Sequence, residues 1–394
     1  MTAFPRKAIA QLILSEKRSI KAATKEKVWV LNLDQIESGT GKVLKKNSVA
    51  ISELGPSTYS FIAGTVLYSK LRPYLNKVIV ADDDGYATTE LVPLRCDPSQ
   101  VLPTYLAYYL RSPEFLSFAN TVVAGAKMPR MVMSEFWRYE IPLPPLSEQR
   151  RIAAILDKAD ALRARRREAI AKLDQLLQSV FLEMFGDPVT NPKGWPQVRF
   201  SELLESIDSG TSPVCLDRSA GDNEWAVLKL SAVTRCEYDP SANKALPEGV
   251  EPDKSLEVKV GDLLFTRKNT RDLVAACAFV TDTPPRLLLP DLIFRFRLKP
   301  LAPVVPRYLQ ALLAFPGKRK DIQSLAGGSA GSMPNISKAK LSNALIELPP
   351  KDLQCEFECR LKHCDLLKEK QRFALAKLDA TFFALQQQAF AGQL

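Results

Sequence analysis

LSEQRRIAAILDKADALRARRREAIAKLDQLLQSVFLEMF, residues 146–185, contains neither proline nor glycine. Pro144 and Pro145 stop whatever comes before it. Ser147 is placed to cap a helix, and Glu148 follows in the first turn, where the exposed amides favour an acid. Apolar residues recur at Ile152, Ile155, Ala159, Leu162, Ala169, Leu173, Leu176 and Val180. Steps of three and four make a heptad seam, the mark of a coiled coil. A helix of this length runs roughly 58 Å at ~1.5 Å per residue. It cannot bury its own stripe, so it needs a partner.

A partner is written further along the same chain. Residues 352–390 repeat the pattern with Phe357, Leu361, Cys364, Leu367, Ala374, Leu378 and Leu385. AKLD stands at residues 171–174 and again at 376–379, IPLPP at 141–145 is answered by IELPP at 346–350, and AKMP at 126–129 by GSMP at 331–334. These three pairs share one offset of 205 residues. Further upstream, LNLDQI (31–36) matches LKLSAV (228–233) and GTVLYSK (64–70) matches GDLLFTR (261–267), both at an offset of 197. FPRKAIAQLI (4–13) resembles WPQVRFSELL (195–204). Several matches in one order imply an internal duplication.

The expected architecture is α+β: two pseudo-repeated α/β domains separated by two long antiparallel coiled-coil helices. Its boundaries are a first domain at 1–146, a helix at 147–186, a second domain at 187–351 and a second helix at 352–394. Arg166 stands in the first seam where the second has Gln371; a matched polar break of this kind can fix register, and two solvent-facing side chains are the alternative. Strands are expected at 27–33, 65–69, 76–81 and 90–95, and at 226–230, 262–266, 275–280 and 292–298, all short, β-branched or aromatic, and bounded by turn residues. Helices are expected at 104–111 and 307–315, each entered after a proline.

Composition narrows the function. Lysine plus arginine number 54 against 44 acids, a formal charge of +10, which favours a polyanionic partner such as nucleic acid. No stretch reaches the ~18 apolar residues of a membrane span, and the first residues lack the apolar core of a signal peptide, so a cytoplasmic location is expected. Seven scattered cysteines suit free thiols in a reducing compartment. One histidine, His363, removes most histidine-based acid–base and metal chemistry.

Chemical motifs fail one by one. SGTGKV (38–43) has Ile36 where a phosphate loop needs its first glycine, and Val43 in place of Ser or Thr. Asn191–Pro192 resembles the start of an adenine-methyltransferase signature, but Lys193 and Gly194 follow it, and a linker turn is expected. Cys355, Cys359, His363 and Cys364 lack the paired short spacing of structural zinc, so no metal site is expected. The acidic run Asp82–Asp84 reads as a hairpin turn before Gly85 and has only Asp282 in the corresponding stretch of the second copy. A duplicated nuclease would keep its acids twice.

Basic and polar loops remain. Lys70, Arg72 and Tyr74 follow a strand in the first copy, and Lys127 and Arg130 flank its Met-Pro turn. In the second, Arg267, Lys268, Asn269 and Arg271 hold the matching place, with Ser329, Ser332 and Asn335 around the other Met-Pro turn. Arg and Asn form bidentate bonds to guanine and adenine edges, and Lys and Arg neutralise phosphates, so these are the candidate DNA contacts.

At IPLPPLSEQRRIAAIL (141–156) and FLEMFGDPVTNPKGW (181–195), the chain resembles the specificity subunit of type I restriction–modification enzymes. The resemblance covers nearly the whole chain. The second copy departs from it where Leu353–Gln354 replaces Glu148–Gln149. It implies two target-recognition domains, each reading half of a bipartite asymmetric site on double-stranded DNA. It also implies two methyltransferase subunits and restriction subunits as partners, with Glu148, Gln149 and Arg150 as candidate partner contacts. The chain itself would be non-catalytic and hold no cofactor; S-adenosylmethionine, ATP and Mg would belong to the partners. The alternatives are a stand-alone DNA methyltransferase or nuclease, or a protein-only coiled-coil scaffold.

Overall fold

The computed structural model describes residues 4–15, 27–55, 57–327 and 333–394. The two long helices run Leu146–Phe185 and Lys351–Phe390, 40 residues each. The chain divides into two compact units. One joins Met1–Ala169 to Gln371–Leu394, and the other is Ile170–Lys370. Each therefore owns one globular module, the near end of one long helix and the far end of the other.

In the first unit, strand Val66–Ser69 lies between Val78–Val80 and Leu91–Leu94, antiparallel to both. A second sheet places Lys27–Leu31 between Asn47–Ala50 and Gly85–Thr88, the latter parallel, with Thr58–Phe61 beyond. The acidic run does not form the expected hairpin: the strands on either side of it, Val78–Val80 and Gly85–Thr88, belong to different sheets. It is a crossing, and Asp84 accepts a hydrogen bond from the Ala63 amide at 2.8 Å. Helices Pro103–Leu110 and Pro113–Thr121 cover the first sheet through Tyr105, Leu106, Tyr109 and Phe115, all fully buried.

The second unit repeats this plan. Leu263–Thr266 lies between Cys277–Phe279 and Ile293–Leu298, with Leu204–Ser209 added outside. Ala226–Leu228 pairs in parallel with Leu287–Leu288, as Lys27–Leu31 does with Gly85–Thr88. Arg6–Ala8 pairs with Glu140–Pro142, and Gln197–Arg199 with Leu345–Glu347, which clips the start of each module to its end. Tyr105 donates to the Pro142 carbonyl, and its counterpart Tyr308 donates to the Glu347 carbonyl. Beneath the outer strand, Arg295 is 2% exposed and bonds Asp208, Asp262 and the carbonyls of Glu257 and Ser255. Burial alone would raise the Asp208 pKa, but the bonds from Arg295 and Ser206 and the arginine charge prevail, and it lies below the ordinary carboxylate value.

Within each unit the two helix segments run antiparallel. In the first, Arg166 donates to Gln371 at 2.7 Å and Arg163 to Asp379 at 2.5 Å. In the second, Lys368 pairs with Asp174 and Phe181 packs edge-on against Phe357. The seam follows the expected one at Ile152, Phe357, Leu361 and Cys364, which are buried, and departs from it at three positions. Leu162, Leu176 and Leu367 are 43%, 49% and 47% exposed, and the residue after each, Arg163, Leu177 and Lys368, is turned further inward. Two buried cations hold the centre because aspartates on the facing segment meet them. Those aspartates, Asp174 and Asp379, end the two AKLD repeats.

Candidate nucleic-acid interface

The loop that follows each central strand is braced to the loop around each Met-Pro turn. In the first unit the Arg72 amide donates to the Pro129 carbonyl at 2.7 Å and the Met131 amide to the Lys70 carbonyl at 2.8 Å, while Leu71 bridges Arg130. In the second, the Asn269 amide donates to the Pro334 carbonyl at 3.3 Å and the Ile336 amide to the Arg267 carbonyl at 2.8 Å, while Lys268 bridges Asn335. The Lys70 and Arg267 amides are held alike, by the carbonyls of Glu90 and Leu292. Residues 70–72 match 267–269 at the offset of 197 and residues 129–131 match 334–336 at the offset of 205, so the two sequence offsets meet there. Paired backbone bonds fix these loops although they lie at the surface.

The side chains on the two knots differ. In the first, Arg72, Lys127 and Tyr74 are exposed, Tyr74 by 52%, and Lys70 is half-buried. Arg130 is exposed but committed: its guanidinium bonds both carboxylate oxygens of Glu90, from 2.9 Å, and this pairing raises its pKa. In the second, Arg271 is exposed and Lys268 half-buried. Arg267 donates to the Asn335 side chain at 3.2 Å and lies over the Phe294 ring at 4.9 Å. Asn269 is turned inward, 5% exposed, and accepts a bond from the Thr270 amide. Ser329 and Ser332 lie outside the described residues. The knots also expose Met128 and Met333, at 44% and 46%, which the contact list from sequence omitted although the repeated Met-Pro marked both.

The residues at the helix start separate by burial. Arg150 is exposed, and Glu148 pairs with Arg151 at 3.0 Å. Gln149 is fully buried. It accepts from the Leu102 amide at 2.9 Å and donates to the carbonyls of Gln100 and Pro144 at 2.8 and 2.9 Å. Gln354 makes the same clasp in the second unit, with the Val305 amide and the carbonyls of Pro303 and Pro349. The glutamine of the Glu-Gln element thus faces inward in both copies and ties the helix start to its own module.

The phosphate-loop look-alike is a closed turn. Gly41 has φ +71°, and a Cβ there would lie 2.9 Å from the Val78 carbonyl and within bonding distance of the Arg111 guanidinium. Arg111 bonds the Thr40 carbonyl, and burial lowers its pKa. A cavity of about 290 Å³ beside this turn is lined by Asn76, Arg111, Arg163, Phe382 and Gln386, among others. Among the described residues no group of three or more His, Cys, Asp or Glu could hold a metal ion, and no helix is long and apolar enough to cross a membrane.

Known proteins share the duplicated α+β modules and the paired helices. Residues 25–173 match the family model described as the type I restriction modification DNA specificity domain. The chain is 26% identical over 387 residues to the type I restriction enzyme EcoEI specificity subunit of Escherichia coli, covering 74% of this chain and 65% of that protein. It is 24% identical over 312 residues to the EcoKI specificity subunit of Escherichia coli strain K12, with the same two coverages. The matches thus span less than two thirds of these relatives' length. A crystal structure of the type I restriction-modification system S subunit from M. genitalium shares the fold, with a TM-score of 0.55 at 12% identity over 98% of this chain and 96% of that one. Over residues 25–173 the chain is thus similar to the type I restriction modification DNA specificity domain, and beyond it to the specificity subunits of such systems.

Proposed function

We propose that this chain selects the DNA sequence on which a type I restriction–modification complex acts, and that it performs no reaction itself. Each unit reads one half of a bipartite site. The observation that carries this reading is the knot built twice on identical backbone bonds but with different exposed side chains. Identical frames with unlike side chains suit two readers of unlike sequence, so the site is asymmetric. Base edges are read by the exposed Arg, Lys and Tyr side chains, and thymine methyl groups offer apolar contact to Met128 and Met333. Basic side chains that have no acidic partner among the described residues, such as Lys127 and Arg271, add phosphate contacts and make binding fall with salt.

The long helices set the spacing of the half-sites and dock two methyltransferase subunits, with restriction subunits joining the assembly. Leu162, Leu176, Leu366, Leu367 and Phe373 support this, being large apolar side chains left 43–64% exposed along the two helices. S-adenosylmethionine, ATP and Mg belong to those partners, and the complex works in the cytoplasm. Mapping methylated adenines genome-wide, with and without this gene, tests the reading. Methylation at one two-part sequence should vanish on deletion; an unchanged map would refute it.

A further inference from the structure

We propose that Arg72 reads a guanine in one half of the target, as the sequence-determining side chain of the first unit. This rests on the DNA-reading function proposed above. Arg72 has φ 50° and ψ 62°, the left-handed region that normally falls to Gly or Asn. The fold does not need an arginine there. Among the described residues its side chain has no ion pair or hydrogen bond, and it is exposed. Its backbone, in contrast, is fixed at both ends: the amide bonds the Pro129 carbonyl, and the carbonyl accepts from the Leu75 amide at 2.9 Å. A second left-handed residue, Asn76 with φ 48°, closes the Pro73–Leu75 turn on the far side and donates to the Arg111 carbonyl at 3.1 Å.

A disfavoured conformation on a braced frame, carrying a long side chain that the fold does not use, points to a use outside the fold. The alternatives within the same knot are weaker. Arg130 is held by Glu90, and Lys70 and Lys127 are point charges without a planar fork. Arg72 has the free guanidinium whose two parallel donors match O6 and N7 of guanine. The second unit is not built this way. Asn269, the counterpart, is buried, so the equivalent reading there passes to other side chains.

The test selects bound sequences from a pool of random duplexes, using the full chain assembled with its methyltransferase subunits. Arg72→Gly and Arg72→Lys are compared with the unaltered protein. Glycine suits φ 50°, so Arg72→Gly keeps its fold, which a thermal melt confirms. Unaltered protein should require a G·C pair at one position of one half-site. Arg72→Gly should lose that requirement by about tenfold or more, Arg72→Lys should keep part of it, and both should keep every other position. Two results would overturn the assignment: Arg72→Gly keeping the full preference, or Arg72→Gly weakening all sequences alike, which marks a phosphate contact. No enriched sequence with unaltered protein would instead refute DNA reading as such.

Discussion

Gln149 shows how far a residue's meaning depends on which way it faces. From sequence it stood with Glu148 and Arg150 as a candidate partner contact, because the element it belongs to marks the start of a long exposed helix. The structure folds it into its own module with three backbone bonds, and does the same with Gln354. Removing it strands a buried amide and two carbonyls. Gln149→Ala should therefore destabilise the first unit by on the order of 3 kcal/mol, and Gln354→Ala the second, as read from denaturant melts. Equal stability of variant and parent would contradict the clasp. The repeat held the clue: of the two residues Glu148–Gln149, only the glutamine recurs, as Gln354, at the same offset from Pro-Pro. The sequence could not show Asn269 turned inward or Arg130 tied to Glu90. Both depend on the approach of a distant segment, Thr270 aside.

The long helices were legible as elements and in most of their seam, but three seam positions were misread. No helix breaker and a three–four spacing sufficed to place the first within one residue of Leu146–Phe185; the second starts one residue before the expected 352 and ends at Phe390, four short of the expected 394. Leu162, Leu176 and Leu367 were placed in the seam with the other apolar residues because apolar residues usually take it, and these three are exposed. Arg163 and Lys368 take it instead, each facing an aspartate on the other segment, so hydrophobicity misled where charge pairing decided. The short strands Asn47–Ala50 and Leu204–Ser209 were missed because they carry polar or charged residues without a clean alternation. The AKLD repeats take their meaning here. Asp379→Ala leaves Arg163, 7% exposed, with Asp160 alone on its own helix. This should cost about 1–2 kcal/mol, below the 3–5 of a fully buried pair because Asp379 keeps a third of its exposure. Arg163→Met combined with Asp379→Ala should recover part of that loss in the same melt. A double variant less stable than Asp379→Ala would show that the pair does not lock the segments.

For the molecule, the duplication was the most legible property of all, since matched motifs at two offsets recur as matched hydrogen bonds. The offsets meet in the knots, where an insertion between them leaves the frame intact. What the sequence withheld was the interleaving. Each unit contains part of both long helices, so neither module ends where its globular part ends. The central claim is that one unit reads one half of a two-part sequence. Residues 1–145 carry the first knot and both strands of its closing ribbon, Arg6–Ala8 and Glu140–Pro142, and can be exchanged as one piece for those of a relative with a different target. The decisive measurement is the map of methylated adenines in cells carrying that exchange. One half of the recognised sequence should change while the other half stays as it was; a change in both halves, or in neither, would contradict the account.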